Sequence, residues 1–199
     1  MSSSSNVMIG YRFNLAKRQN TMRLFFALWP DDSTQQQWAY TISPMLHMLG
    51  GQPSAVRNLH LTLHFLGEVD GSQVTRLSLL GADVAGNAPS LHFDRIECWK
   101  NADIACLRPK DEPMELSQLV GNLATGLELA GFEIEKRKFK AHVTIARTLK
   151  HHETALPLWP PINWQAETLA LVRSRLTPNG PIYAPIAQWP LTTICKYEQ

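Results

Sequence analysis

Two short segments of the chain share one pattern, and this pattern constrains the fold more than any other feature. Residues 60–63 read His-Leu-Thr-Leu, and residues 142–145 read His-Val-Thr-Ile. In a β-strand successive side chains point to opposite faces, so each His shares a face with its Thr while the apolar residues face a core. We therefore predict two strands, each with one polar and one buried face. The segments begin 82 positions apart in a chain with only 7 His, which argues against chance repetition.

Helical and strand patterns mix along the chain without the strict alternation of a doubly wound parallel sheet. The apolar run Arg23–Trp29 predicts an opening strand, and Leu and Val at helical spacing predict a helix over Met114–Ala130. We interpret Phe132–Glu135 as a short strand and residues 148–161 as a loop before the closing strands. This mixture indicates an α+β fold. Because each half supplies helices and one motif strand, we predict two pseudo-symmetric lobes, each a mainly antiparallel sheet with helices outside.

Length and composition indicate one soluble domain. The chain has 199 residues, 44% of them hydrophobic, and a net charge of +2, which argues against a broad surface for polyanions. Residues 1–21 are Ser-rich without a period and predict a disordered leader before a single bilobal domain over 22–199, so Met22 is a second candidate initiator. No run of about 18 apolar residues predicts a membrane span. The three Cys form no Cys-x-x-Cys pair, which favours a reduced, cytoplasmic protein.

The two polar faces suggest acid-base chemistry on a phosphate. Histidine titrates near neutral pH, so a pair can divide into one neutral base and one protonated acid. Thr hydroxyls and an Arg can stabilise the oxygens on which charge gathers when phosphorus is attacked. Neither a metal nor another cofactor is required. The candidate catalytic residues are His60 and His142, and the candidate phosphate-binding residues are Thr62, Thr144 and Arg147.

Three further features have more than one interpretation. Strict alternation places Arg147 on the face opposite His142, so a phosphate contact requires the strand to end or twist by Ala146. His64 is predicted to share the face of His60 in a structural or rim role, although a zinc site on His60, His64 and His142 is an alternative. The basic run at 136–140 is either a solvated edge or a surface that steers an RNA backbone.

Several segments in collinear order resemble one family. They are Arg-Leu-Phe-Phe-Ala at 23–27, Asn-Leu-His-Leu-Thr-Leu at 58–63, Phe-Leu-Gly at 65–67, His-Val-Thr-Ile-Ala-Arg at 142–147, Ser174-x-Leu176 and Gly180-Pro181-x-Tyr183. On these residues the chain resembles the bacterial RNA 2′,3′-cyclic phosphodiesterases, long called 2′-5′ RNA ligases, of the two-histidine (2H) phosphoesterase superfamily. The resemblance implies the bilobal α+β fold of that superfamily, with a cleft lined by the two motifs.

The resemblance also implies an activity. Family members open a 2′,3′-cyclic phosphate at an RNA end to a 2′-phosphate without metal, and some join tRNA halves reversibly through a 2′-5′ linkage without ATP. We therefore expect a monomeric hydrolase of RNA or nucleoside 2′,3′-cyclic phosphates. The alternatives are 2′-5′ ligation of tRNA halves and a non-catalytic nucleotide-binding or RNA-binding module. We expect His142 to deprotonate the attacking water and His60 to protonate the 3′ oxygen, with the reverse assignment left open.

Overall fold

The computed structural model describes residues 20–135, 137–151, 155–178 and 180–193. Of the predicted leader, residues 1–19 lie outside these ranges, and Thr21 already begins the first strand. Within the described residues there are three α-helices, which are α1 (Asp32–Leu49), α2 (Val74–Val84) and α3 (Met114–Leu129). The strands are β1 (Thr21–Leu28), β2 (Gln52–Pro53), β3 (Leu61–Asp70), β4 (Ser90–Trp99), β5 (Ile104–Pro109), β6 (Val143–Arg147), β7 (Ala155–Gln165), β8 (Thr168–Thr177) and β9 (Gly180–Pro190).

The strands form one twisted sheet that consists of two lobes. Its order is β7-β4-β5-β6-β3-β1-β8-β9, with β2 beside β6, and each of these neighbouring pairs is antiparallel. Strands β9, β8, β1 and β3 make the first lobe, and strands β6, β5, β4 and β7 make the second. The lobes join where Leu61 pairs with Val143. The predicted bilobal, mainly antiparallel α+β fold is confirmed.

The helices cover one face of the sheet and tie the lobes together. Trp38 of α1 packs edge-on against Phe93 and Trp164, with ring centroids 5.7 and 4.9 Å away, so this helix from the first half covers the second lobe. Helix α3, from the second half, contacts β3 of the first lobe. The main hydrophobic core lies between these helices and the sheet. The opposite face of the sheet is left for polar side chains near the junction of the lobes.

Two elements differ from the sequence prediction. Strand β7 occupies the second half of the segment interpreted as a loop, and it contains Pro157, Pro160 and Pro161. It is an edge strand that pairs only with β4, and proline is tolerated at an edge because its missing N–H removes no bond inside the sheet. The predicted short strand at Phe132–Glu135 is wrong, since these residues form neither helix nor strand. No helix among the described residues is long and apolar enough to cross a membrane.

Candidate active site

The two motifs meet at the junction of the lobes. Leu61 and Val143, the central residues of the two His-x-Thr segments, are cross-strand partners and are fully buried in the core. His60 and His142 each precede one residue of this pair, and they lie close enough for the charge of His142 to add to burial in lowering the pKa of His60. The two histidines therefore belong to one site.

Both imidazole rings are oriented by the same backbone contact. The Nδ1–H of His60 donates to the carbonyl of Asn58 at 2.6 Å, and the Nδ1–H of His142 donates to the carbonyl of Lys140 at 2.7 Å. Each acceptor lies two residues before its histidine. Because Nδ1 carries the hydrogen, Nε2 of each neutral ring keeps its lone pair. In His60 that lone pair accepts the Thr62 hydroxyl at 3.0 Å.

A β-bulge in β6 places Arg147 on the face of the site. Thr144 pairs with Cys106 of β5, but the next pair is Ala146 with Ala105, so Ile145 is an extra residue in β6. Such a bulge shifts the alternation of the strand by one residue. Arg147 therefore shares the face of Thr144, and its charge contributes to lowering the pKa of both motif histidines. The obstacle that strict alternation predicts for Arg147 is removed.

A matching bulge in β3 turns His64 away from the site. Thr62 pairs with Ala27 of β1, whereas His64 pairs with Phe26, so Leu63 is the extra residue. His64 consequently faces α3, where its Nε2–H donates to the carbonyl of Val120 at 3.0 Å. The prediction that His64 shares the face of His60 is wrong, and with it the proposed zinc site. The described residues contain no cluster of three His, Cys, Asp or Glu side chains suited to a metal ion.

The bulges make Phe65 and Arg147 equivalent positions, since each is the third residue after its motif Thr. Phe65 pairs with Phe25 on the site face, with ring centroids 5.6 Å apart. The Phe65 side chain is 53% exposed, and Arg147 is exposed as well. One rim of the site is therefore an aromatic surface, and the other is a cation.

Aromatic rings enclose His60. Phe25 and Trp29 lie nearly parallel to the imidazole, with centroids 4.9 and 5.4 Å away, and Tyr183 meets it edge-on at 5.1 Å. Burial lowers the pKa of His60 to about 4, against the opposing hydrogen bond to the Asn58 carbonyl and together with the charges of His142 and Arg147. His60 is thus neutral at pH 7 in the free protein.

The surroundings of His142 are more charged and more open. The Trp99 ring lies 4.6 Å from the imidazole at an angle of 50°. Burial is the main cause that lowers the pKa of His142; the charges of Arg108 and Arg147 add to it, and the hydrogen bond to Lys140 opposes it. This half of the site therefore uses guanidinium groups where the first half uses rings.

Comparison with known proteins identifies the family of this paired arrangement. The family model described as LigT like phosphoesterase matches residues 28–105 and 107–183, and each stretch contains one His-x-Thr pair. The chain belongs to the LigT-like phosphoesterase family. The predicted two-histidine phosphoesterase resemblance is confirmed.

Curated members of the LigT-like family cover nearly the same length. The chain is 30% identical over 172 residues to the RNA 2′,3′-cyclic phosphodiesterase of Escherichia coli (85% of this chain, 97% of the relative). It is 28% identical over 171 residues to the protein of the same name from Archaeoglobus fulgidus (81% and 96%). The crystal structure of E. coli LigT complexed with 3′-AMP superimposes with a TM-score of 0.78 at 28% identity, covering 86% of this chain and 99% of LigT.

Buried amides support the first motif of this LigT-like site. The Gln35 amide on α1 donates to the carbonyl of Leu59 at 2.9 Å, and the Asn58 amide donates to the carbonyl of Pro181 at 2.7 Å. Both side chains are buried. The Asn58 contact holds the start of β9, which carries Tyr183, against the segment that precedes His60.

The sequence prediction missed most of the residues that surround the two histidines. Phe25 and Trp29 lie two residues to either side of Ala27, so alternation along β1 was the signal that they share the face of Thr62. Tyr183 belongs to a segment that connects the chain with the family but that the sequence does not connect with the site, and it contacts His60 edge-on. Nothing local marks Trp99 or Arg108, because their proximity to His142 depends on pairing between distant strands.

Proposed function

We propose that this protein hydrolyses 2′,3′-cyclic phosphate ends of RNA to 2′-phosphates, with His60 and His142 as an acid-base pair. One observation carries the proposal: the two motifs meet at a single junction, and in each neutral ring the Nδ1–H is bound to the backbone, so Nε2 carries the lone pair that can accept a proton. The names of the curated relatives, all RNA 2′,3′-cyclic phosphodiesterases, support the same reaction.

The substrate's phosphate occupies the gap between the motifs. On substrate binding the Thr62 hydroxyl turns from Nε2 of His60 to a non-bridging oxygen, the Thr144 hydroxyl donates to a second one, and Arg147 supplies a fixed positive charge at the second rim. The terminal nucleobase stacks on the exposed ring of Phe65, which offers an apolar face of the kind that bases bind irrespective of sequence. Substrate recognition therefore combines one anion site with one aromatic surface.

Hydrolysis requires one proton to be removed and one to be supplied. A water attacks phosphorus opposite the 3′ oxygen, the bond between phosphorus and the 3′ oxygen breaks, and the products are a 2′-phosphate and a 3′-hydroxyl. The base accepts a proton from the water, and the acid donates one to the departing 3′ oxygen. Each histidine ends the step in the protonation state in which the other began, so the resting state returns by exchange with solvent.

We assign the base to His60 and the acid to His142, which reverses the expectation from sequence. When the pair holds one proton, the proton resides on the imidazole that is easier to protonate. Burial among the rings, together with the charges of His142 and Arg147, lowers the pKa of His60 to about 4. His142 is more exposed and retains more of its hydration. The state ready to react is therefore neutral His60 with protonated His142.

A substrate with a bridging sulfur at the 3′ position tests this assignment. A thiolate departs without being protonated, so this substrate no longer needs the acid. We expect the loss in kcat caused by His142→Ala to shrink by about 10-fold or more on the sulfur substrate, and the loss caused by His60→Ala to persist. The opposite pattern would show that His60 is the acid. Equal losses on both substrates would eliminate acid catalysis at either residue.

The overall reaction is tested with an RNA oligonucleotide that ends in a 2′,3′-cyclic phosphate, incubated in excess chelator. ³¹P NMR should show conversion to a 2′-phosphate, and ¹⁸O-labelled water should place one label on that phosphate. A 3′-phosphate product would contradict the proposed direction of attack. Absence of turnover, with tight binding of a 2′-nucleotide, would support the binding-module alternative instead.

The same geometry accepts a 5′-hydroxyl of RNA in place of water, which is the predicted ligation of tRNA halves. Incubation of a 2′,3′-cyclic end with a 5′-hydroxyl end should then yield a junction that resists nucleases specific for 3′-5′ linkages. We propose hydrolysis as the principal reaction because water reaches the partly exposed site without a second RNA. We also propose a cytoplasmic location, in keeping with the unoxidised, buried thiol of Cys106.

A further inference from the structure

Ala141, the residue immediately before His142, has unusual backbone contacts. It is fully buried, and it lies near the end of a segment whose described residues form neither helix nor strand before β6 begins at Val143. Its N–H donates to the Glu112 carboxylate at 2.8 Å, and its carbonyl accepts a hydrogen bond from Nη1 of Arg108. Two charged side chains thus provide the hydrogen bonds of the Ala141 N–H and carbonyl, which a neighbouring strand would provide inside a sheet.

These two side chains belong to an ion network that also contacts His142 from another side. Nη1 of Arg108 lies 3.9 Å from Oε1 of Glu112, and Nε of Arg108 lies 3.4 Å from Oε2 of Glu97. Glu97 accepts the indole N–H of Trp99 at 3.2 Å, and the ring of Trp99 packs on His142. The Arg108 side chain is only 12% exposed, which limits screening by solvent.

We propose that Arg108 and Glu112 are positioning residues for His142 and act through the backbone of Ala141. The inference rests on the proposed acid-base role of His142. Neither residue needs to touch the substrate. The carbonyl that orients the His142 ring belongs to Lys140, so it is joined through one peptide unit to the N–H that Glu112 binds. A shift of that peptide moves the acceptor of the Nδ1–H and turns the ring.

The expected effect follows from the geometry of proton transfer. Loss of one partner leaves a buried backbone group of Ala141 without a hydrogen bond, so the peptide moves toward another partner. A displacement of about 1 Å at a catalytic group can reduce the rate by about 100-fold. Because the phosphate contacts of Thr62, Thr144 and Arg147 do not depend on this peptide, kcat should fall while KM changes little.

Substitutions of Glu112 separate hydrogen bonding from charge. Glu112→Gln keeps an oxygen that accepts the Ala141 N–H, and it should retain kcat within about 3-fold. Glu112→Ala removes the acceptor, and kcat should fall by about 10- to 100-fold with KM within about 3-fold. Asp111→Ala is the matched control, because Asp111 is the adjacent exposed carboxylate. It should match the unmodified protein.

Substitutions of Arg108 separate position from charge in the same way. Arg108→Lys keeps the cation but loses the planar guanidinium, so kcat should fall. The limb of the pH-rate profile that reports the titration of His142 should stay at the same pH. Arg108→Gln removes the cation, which helps to lower the pKa of His142, so that limb should move to higher pH. A residue that only stabilised the fold would not move the limb.

Nitrogen-15 NMR of the histidine rings provides a readout that does not depend on turnover. In the unmodified protein and in Glu112→Gln, the neutral His142 ring should carry its hydrogen on Nδ1. In Glu112→Ala the two tautomers should mix. An unchanged His142 spectrum and unchanged kcat in folded Glu112→Ala would overturn the proposed positioning. A changed spectrum in a protein that lacks hydrolase activity would instead retain the positioning and reject the proposed function.

Discussion

The two halves of the site share one backbone plan but differ in the chemistry that surrounds it. In both halves a histidine donates its Nδ1–H to the carbonyl two residues before it, and in both a bulge follows the motif threonine. The first half then encloses its histidine with aromatic rings and supports it with neutral amides. The second half uses an ion network and one indole ring.

This contrast shows how nearly symmetric strands can hold chemically different histidines. The backbone determines where each Nε2 points, while the environment determines how readily each ring accepts a proton. Burial among aromatic rings, together with the charges of His142 and Arg147, makes His60 difficult to protonate, whereas His142 lies in the more exposed half. The distinction between acid and base therefore depends on residues outside the motifs.

The largest effect should come from removing either histidine. We expect His60→Ala and His142→Ala each to lower kcat by about 10²- to 10⁴-fold, because each proton transfer contributes roughly that much. The double variant should be no worse than about the worse single variant, since the two act as one unit. His64→Ala is the matched control: it lies in the first motif strand but faces α3, so kcat should persist. If His64→Ala lost activity and His60→Ala kept it, then His64 rather than His60 would face the site.

The alternation of side chains along a strand predicted which residues face the site only as far as the motif threonines. A strict period of two correctly separates His60 and Thr62 from Leu61. The two-lobed antiparallel fold followed instead from the mixture of helical and strand patterns and from the presence of one motif strand in each half. The alternation failed one residue later in each strand, because the bulges at Leu63 and Ile145 arise from pairing with β1 and β5. The sequence of one strand does not specify its partner's register, so the facing of His64 and Arg147 could not be derived from it.

The environment of each histidine was even less accessible from sequence. Glu97, Arg108 and Glu112 lie about 30 to 45 positions before His142 and approach it only because β5 pairs with β6 on one side and with β4 on the other. Their charges form no local pattern near the motif. Residue types and spacing therefore predict which chemistry is available, whereas the pKa values of the two histidines depend on contacts between distant strands.

The equivalent rim residues should differ in what they contribute. We expect Arg147→Ala to lower kcat/KM by about 10- to 100-fold, because a charge-assisted hydrogen bond to phosphate contributes about 1.5–3 kcal/mol. Phe65→Ala should mainly raise KM for RNA, by about 5- to 100-fold, through the loss of one stacking contact. Steady-state kinetics at low and high salt separate the two, since only the Arg147 contribution should weaken as salt rises. Equal salt sensitivity of both variants would show that the rims are not chemically distinct.

The buried histidines and the ion network should also respond to acid at different pH values. His60 has an ordinary pKa of 6.5 and a folded-state pKa of about 4, so between these values the unfolded chain binds more protons. Stability should therefore fall as pH decreases from 6.5 to 4. The pKa of Glu97 is lowered, against the effect of burial, by hydrogen bonds from Trp99 and Arg95 and by the nearby guanidinium charges. Its stabilising contribution is lost only at pH values below the ordinary 4.5 of a glutamate.

Urea unfolding at several pH values measures this difference. The midpoint of the unmodified protein should decrease between pH 6.5 and 4.5, and His60→Asn should make that part of the curve less steep. His142, whose pKa burial also lowers, accounts for the remaining slope, and Glu97→Gln flattens the curve only at lower pH. An unchanged slope between pH 6.5 and 4.5 in His60→Asn would show that the enclosed histidine is not the acid-sensitive group of the first half.

The smallest effect on kcat should come from a substitution that gives Thr144 the same cross-strand neighbour as Thr62. Thr62 has Ala27 opposite it on β1, whereas Thr144 has the fully buried Cys106 opposite it on β5. Burial raises the pKa of Cys106 to about 12, against a hydrogen bond with the Thr144 hydroxyl, so the neutral thiol can offer only a weak contact. Cys106→Ala copies the arrangement of the first half and should change kcat by less than about 3-fold, with a small loss of stability from the vacated volume. If Cys106→Ala lowered kcat nearly as much as His142→Ala, Thr144 would require a polar neighbour that Thr62 lacks. Single-turnover kinetics would then show whether the chemical step is the step that is slowed.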